Sequence, residues 1–307
     1  MKKSVNPSLD IVINSYQVRD LVLDCLGSIY RNKNKSDSWT VILADMASTD
    51  GTVSAARKKY PQAKVLASKD DLGFAKGNNY AKPYCKSEYV LFLNPDTIVN
   101  GKVIQKTLSI LEKNPKLGAV GCRVMLPDGN LDYSCHRGLP TVWNSICYWT
   151  GLSKMFPKSK TFAGYEATYL DYYKSHEIDC ITGAYLMIKR SVLDYIGWWD
   201  EDYFWNGEDV EMCYQIRKIG FGIWYYADGT ITHFKGSSSG MYATAKIKVP
   251  KSETIKLARF ATRSMRVFIM KHWRELGPAP IVLLAWAGAW VLEKYRLTKI
   301  HLGLKYA

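Results

Sequence analysis

Between residues 10 and 120 the chain repeats one unit: a short apolar run rich in β-branched residues, a polar turn, then a stretch with helical periodicity. The runs are Asp10-Ile-Val-Ile-Asn14, Thr40-Val-Ile-Leu-Ala44, Lys64-Val-Leu-Ala67 and Tyr89-Val-Leu-Phe-Leu93. They are continuously apolar rather than alternating, the mark of strands buried on both faces. Helices are predicted near Val18–Asn32, Thr52–Tyr60, Asn78–Cys85 and Val103–Asn114, the second and fourth stopped by Pro61 and Pro115. The expected class is α/β, with a mostly parallel central sheet flanked by helices. Such sheets bind ligands outside the carboxyl ends of their strands. That gathers Asn14–Gln17, Asp45–Thr52, Asp70–Asn79 and Asn94–Thr97 around one cleft.

Beyond Gly118 the pattern changes. An Asp128-Gly129 turn predicts a hairpin over 118–133, and residues 134–176 are aromatic and show no period. Ile178–Lys189 and Gly222–Ala227 read as strands, Ser191–Ile196 as a helical turn and Glu208–Ile219 as an amphipathic helix. No repeat or low-complexity linker interrupts this, so a catalytic domain is expected over 1–240 and a separate segment over 241–307.

Charge divides the chain at the same place. Of the net +14, residues 241–307 carry 13 cations against 3 carboxylates, and residues 1–240 carry 29 against 25. A nucleic-acid reader concentrates basicity on its folded domain, so nucleic acid is not the expected partner. The seven cysteines, without metal-ligand spacing, read as reduced core residues. No signal peptide follows Met1, and the apolar run Ile281–Leu292 is shorter than the ~20 residues of a spanning helix. The expectation is a cytoplasmic protein.

Five segments carry polar chemistry. Asp45 can accept hydrogen bonds from a ribose or a base, whereas Ser48 and Asp50 suit capping of the next helix. Gly73-Phe74-Ala75-Lys76-Gly77-Asn78 brackets a lysine with glycines, which lets the backbone approach an anion, although Gly-rich turns are common. Asn94-Pro95-Asp96 offers hard oxygen ligands for Mg2+ or Mn2+, or simply a turn. Trp198–Glu211 sets six carboxylates among aromatic side chains, where burial can raise an acid into the range of a general base. Glu208, Asp209 and Glu211 equally suit the first turn of a helix. His233 follows a strand and precedes the loop Gly236–Gly240, a candidate lid that could present it to a metal.

In this order the five segments resemble the inverting family-2 glycosyltransferases of the GT-A (Rossmann-like) fold, with the strongest likeness to the bacterial rhamnosyltransferase-like branch, over about residues 9–240. The resemblance implies a donor site of Ser15, Tyr16, Asp45, Gly73, Phe74, Lys76, Gly77, Asn78 and Asp96. It implies Mg2+ or Mn2+ on Asp96 and His233, and Asp209 as the catalytic base. Trp199, Trp205 and Glu208 are expected to meet the acceptor. The implied reaction moves a sugar, with rhamnose the first candidate, from a dTDP- or UDP-linked donor to a polyprenyl-diphosphate-linked glycan in cell-surface polysaccharide synthesis. The alternatives are transfer of another hexose to a different acceptor, or a non-catalytic membrane-associated scaffold. A nucleotidyltransferase would need a Gly-rich loop at the first strand, where Asn14-Ser-Tyr-Gln17 stands. The chain departs from the family pattern at Ser15 and Met46, where Asn is usual, and at Asn94, the first position of the Asp-x-Asp motif.

In the tail, Lys256, Arg259, Arg263 and Arg266 recur at helical spacing, with Leu257, Phe260, Ala261, Val267 and Phe268 around the rest of the circumference. Ile281–Leu292 follows, with Trp286, Trp290, Lys294, Arg296 and Lys299 in and beside it. The pattern suits a peripheral helix on an anionic membrane at the inner face of the cell membrane, with a pair of helices docked on the domain as the alternative.

Overall fold

The computed structural model describes residues 7–236 and 250–304. Strands β1 (Leu9–Ser15), β2 (Trp39–Met46), β3 (Lys64–Ser68) and β4 (Tyr89–Leu93) pair in parallel in the order β3-β2-β1-β4. Ile11, Val12, Ile13, Leu43 and Phe92 are fully buried, as continuous apolar runs require. Helices α1 (Arg19–Asn32) and α2 (Thr52–Lys59) connect these strands. Asp50 serves both, since its carboxylate accepts from the Arg19 backbone N–H and from Thr52.

α3 (Gly73–Asn79) starts five residues before the predicted Asn78–Cys85 helix. Its first turn is fixed from outside: Asn14 Nδ2 donates to the Gly73 and Phe74 carbonyls at 3.0 and 3.1 Å, and the Phe74 N–H donates to the Phe204 carbonyl at 2.8 Å. These partners lie far away in sequence, so local propensity did not reveal them.

The remaining strands turn the sheet mixed. β5 (Thr97–Val99), α4 (Val103–Lys113) and β6 (Leu117–Met125) precede α5 (Val142–Thr150), α6 (Leu152–Met155) and the two-residue β7 (His176–Glu177). β8 (Tyr185–Lys189) then runs antiparallel between β4 and β6, followed by α7 (Arg190–Ile196), α8 (Glu208–Lys218) and β9 (Gly222–His233). The predicted 118–133 hairpin reduces to its turn plus a single Met125–Leu131 bridge, because β6 is already paired by β8 and β9. β9 extends six residues past the predicted strand, crosses an irregularity opposite Cys122 and Arg123, and pairs antiparallel with β5. All seven cysteines are buried thiols.

The tail forms α9 (Lys251–Lys271), α10 (Trp273–Leu276) and α11 (Ala279–His301). α9 and α11 meet through Arg266, whose guanidinium donates to Glu293 at 2.8 Å and lies 3.7 Å from the Trp290 ring centroid. α9, its C-terminal cap and α10 also dock on the body. Phe268 joins the main core, His272 Nε2 lies 2.8 Å from Glu211 Oε2, and Lys218 pairs with Glu275 at 3.0 Å. Of the predicted basic face, Arg266 is thereby withdrawn into the helix seam, while Arg259 and Arg263 stay exposed. Among the described residues no helix is long and apolar enough to cross a membrane.

Candidate active site

A cleft of about 1050 Å³ opens at the carboxyl ends of β1, β2 and β4. Its floor includes Asn14, Ser15, Tyr16, Met46, Gly73, Phe74 and Asn94–Asp96, and its far side Glu208, Asp209 and His233. Residues from segments expected to converge on one site therefore do so.

The Asp96–His233 pair is set by strand register. β5 pairs with β9 so that Thr97 faces His233, and the Phe234 N–H donates to the Asp96 carbonyl at 2.8 Å. Asp96 Oδ1 then lies 3.3 Å from His233 Nε2, with both side chains buried. On the other ring nitrogen, His233 Nδ1 lies 3.2 Å from Asp132 Oδ2, and Lys235 donates to Asp132 Oδ1 at 2.7 Å. Burial alone would raise the Asp132 carboxyl, but His233 and Lys235 hold it well below the usual carboxylate range. Burial likewise opposes the His233 cation, yet Asp96 and Asp132 push its pKa up to about 9.

Asp96 and His233 fit a divalent ion. The Asn94 Oδ1 atom beside them is buried without a hydrogen-bond partner among the described residues, and carboxylate, amide oxygen and imidazole suit Mg2+ or Mn2+. Among the described residues no group of three or more His, Cys, Asp or Glu side chains is placed to hold a metal. Such an ion would draw its other ligands from diphosphate and water. Asp132 stands where an outer carboxylate orients a ligating imidazole. Nothing in the predicted hairpin, at whose end it lies, marked it in the sequence.

At the N-terminus of α8, Asp209 Oδ2 accepts from Arg137 at 2.9 Å and from the Gly183 N–H at 3.3 Å, while Oδ1 accepts from the Val210 N–H. Arg137 is a second residue that sequence reasoning missed, since only the folded chain brings it to Asp209. Glu208 Oε2 is buried without a partner among the described residues. Burial first, and the neighbouring Asp209 second, push the Glu208 carboxyl up to about 8. A group raised in the native state stabilises the fold below its unfolded pKa of about 4.3, and that contribution is lost as pH climbs through the native value. Glu208→Gln is therefore expected to melt increasingly above wild type as pH rises from 5 to 9, measured by thermal denaturation. A gap that does not change with pH would show that Glu208 ionises as freely folded as unfolded.

The other predicted residues divide. Ser15 and Tyr16 line the cleft, whereas Asp45 lies beneath it, 1% exposed, accepting from Ser15 Oγ at 2.8 Å and the Ser48 N–H at 2.9 Å. Asp45 thus acts on the cleft through Ser15. Gly73 and Phe74 are on the wall, but Lys76, Gly77 and Asn78 are not. Lys76 is exposed, Asn78 donates to its own helix at the Phe74 carbonyl, and Gly77 leaves the space that Asn14 fills, where a Cβ would lie 2.6 Å from Nδ2. Gly73 has φ +73, and a Cβ there would lie 2.6 Å from the Phe204 carbonyl oxygen. Trp205 and Glu208 line the cleft. Trp199 does not: it is 2% exposed, edge-on to Phe74 and Phe92 at 5.3 and 4.9 Å, and supports the floor instead of meeting an acceptor. The candidate lid residues 237–240 lie outside the described residues.

Comparison with known proteins agrees with this architecture. Residues 7–248 match the family model described as glycosyltransferase-like family 2. The chain is 27% identical over 213 residues to the N-acetylglucosaminyl-diphospho-decaprenol L-rhamnosyltransferase of Mycobacterium tuberculosis, covering 66% of this chain and 68% of that protein. It is 26% identical over 161 residues to the rhamnosyltransferase WbbL of Escherichia coli, covering 50% and 57%. Among solved structures, the mannosyltransferase PcManGT from Pyrobaculum calidifontis, in complex with GDP-Man and Mn2+, superposes with a TM-score of 0.58 at 18% identity, over 97% of this chain and 74% of that one. The fold is thus the GT-A fold, and the chain belongs to the glycosyltransferase-like family 2.

Proposed function

We propose that this glycosyltransferase is divalent-metal-dependent and inverting, and moves a sugar, rhamnose first among the candidates, from a dTDP- or UDP-linked donor to a polyprenyl-diphosphate-linked glycan in cell-surface polysaccharide synthesis. The observation that carries this reading is the placement of Asp96 and His233 in one cleft with Glu208 and Asp209. Ser15, braced by Asp45, together with Tyr16, Gly73 and Phe74 would hold the donor nucleotide. Asp96 and His233 would hold Mg2+ or Mn2+, which when bound supplies the positive charge that offsets a departing diphosphate. Asp209 would take the proton of the acceptor hydroxyl as its oxygen attacks the anomeric carbon. The bond from that carbon to the diphosphate then breaks, and the nucleoside diphosphate leaves with its electron pair. Arg137 and the Gly183 N–H would fix the Asp209 carboxylate against rotation, and Trp205 and Glu208 would meet the acceptor.

The rhamnosyltransferase relatives support the choice of sugar, and the acceptor named for the mycobacterial protein supports a prenyl-diphosphate glycan. We place the enzyme at the cytoplasmic face of an anionic membrane. Leu283, Leu284, Trp290 and Val291 of α11 are exposed apolar residues, and Arg259 and Arg263 of α9 supply cations. A thermal-shift panel of UDP, dTDP and GDP with Mn2+ tests the donor side. One nucleotide at 100 times its Kd should stabilise the fold by about 2.7 kcal/mol. The shift should disappear in EDTA, and an equal response to all three or to none would refute the donor assignment.

A further inference from the structure

Cations of α9 and α11 enter the catalytic cleft. Lys256 of α9 and Arg296 and Lys299 of α11 line it, although they belong to the segment that the sequence assigned to lipid. On α11 the cleft-facing residues Leu292, Tyr295, Arg296 and Lys299 follow helical spacing, so one face of the helix is turned to the cavity. On α9 the cleft-lining residues after Lys256 are apolar apart from Ser264, whose hydroxyl donates to the Trp205 carbonyl: Leu257, Ala261, Met265, Phe268 and Ile269. Three cations and a mostly apolar helix face thus line the same cleft. It also reaches the outside: Tyr295 and Trp149 line the cleft while 57% and 54% exposed, and Trp149 continues an exposed apolar row on α5 with Trp143 and Ile146.

From this juxtaposition we infer that α9 and α11 build the acceptor subsite for a prenyl diphosphate, with Lys256, Arg296 and Lys299 receiving the diphosphate and the apolar wall receiving the first isoprene units. A soluble anion would need the cations but not the adjoining apolar turns. A lipid without phosphate would need the reverse. Only an amphiphile with an anionic head at the mouth of the cleft uses both. The inference rests on the glycosyl-transfer reading above and specifies how its acceptor is held.

The shared chemistry is diphosphate, which the donor also carries, so the test separates the two sources. Full-length protein is titrated calorimetrically with farnesyl diphosphate, and separately with UDP plus Mn2+, as wild type, Arg296→Gln, Lys299→Gln and Arg296→Lys. Lys58→Gln, on the exposed face of α2, is the control. Each Gln variant should weaken farnesyl diphosphate binding roughly tenfold or more, as loss of a charge-assisted contact does. UDP binding should stay within twofold, and Arg296→Lys should recover most of the loss, which separates lost charge from misfolding. With a prenyl-diphosphate acceptor the same variants should raise KM more than they lower kcat. Equal losses for UDP and farnesyl diphosphate would assign the cations to the donor and overturn the inference, and unchanged binding would do the same. If wild type binds UDP but not farnesyl diphosphate, the subsite is wrong and the transferase reading stands. If it binds neither, the reading itself fails and takes the subsite with it.

Discussion

Asp209→Asn is expected to lower kcat for sugar transfer by about 10²–10⁴-fold, the contribution of a positioned general base, with nucleotide binding retained. The substitution keeps the size of the side chain and one of its two acceptor oxygens, giving up the bond that Oδ1 accepts from the Val210 N–H. An amide oxygen can still accept from Arg137 and from the Gly183 N–H, so the local fold should persist. What the amide cannot do is take a proton from the acceptor hydroxyl. Asp209→Ala is a poorer probe, because it strands a buried guanidinium, and losing one partner of a buried pair costs several kcal/mol on its own. Activity within threefold of wild type would remove Asp209 from the role of base, and Glu208, the other acid in the same turn, would be the next to test.

The second large effect concerns the Asp96–His233 pair. Asp96→Ala is expected to reduce transfer roughly a thousandfold, matching the several kcal/mol that charge neutralisation at a leaving diphosphate supplies. Asp132→Asn should behave differently. It leaves Asp96 and His233 in place but weakens the partner that orients the imidazole, so it should raise the Mn2+ concentration for half-maximal activity by about 10–100-fold, with activity recovered at high Mn2+. Activity measured against Mn2+ concentration separates the two variants. Full wild-type activity in EDTA would exclude metal dependence and remove the basis of both expectations.

How much was legible in the sequence follows from how local each signal is. The apolar runs at 10–14, 40–44 and 89–93 state their own burial and form buried strands. The run at 64–67 instead forms the edge strand β3, none of whose residues is buried, because a run's apolarity does not record whether the strand has a neighbour on both sides. Asp96 and His233 were visible because each stands in a motif after a predicted strand. Asp132 lies at the end of the predicted hairpin and Arg137 in the stretch without period, and their meaning comes from partners about 70 to 100 residues away, which no local pattern records. Trp199 was misplaced because an aromatic among carboxylates reads the same whether its ring is sealed beneath a floor or laid open on it. The tail stayed ambiguous for a related reason: amphipathicity reports that a helix has an apolar face, not whether lipid or protein covers it. Arg266 and Phe268 found partners within the protein.

The rung that joins β5 to β9 has a consequence for how the Asp96–His233 pair is spaced. Asp96 and His233 are 137 positions apart, yet their spacing is set by the backbone ladder at Thr97 and His233, not by the chain that connects them. Much of the intervening chain between 138 and 174 hangs outside the sheet. Its length does not enter the spacing of the Asp96–His233 pair. One wall of the cleft, to which Trp149, Tyr165 and Glu166 belong, is thus mechanically separate from the ladder that spaces Asp96 and His233, as a jig is separate from the workpiece it holds.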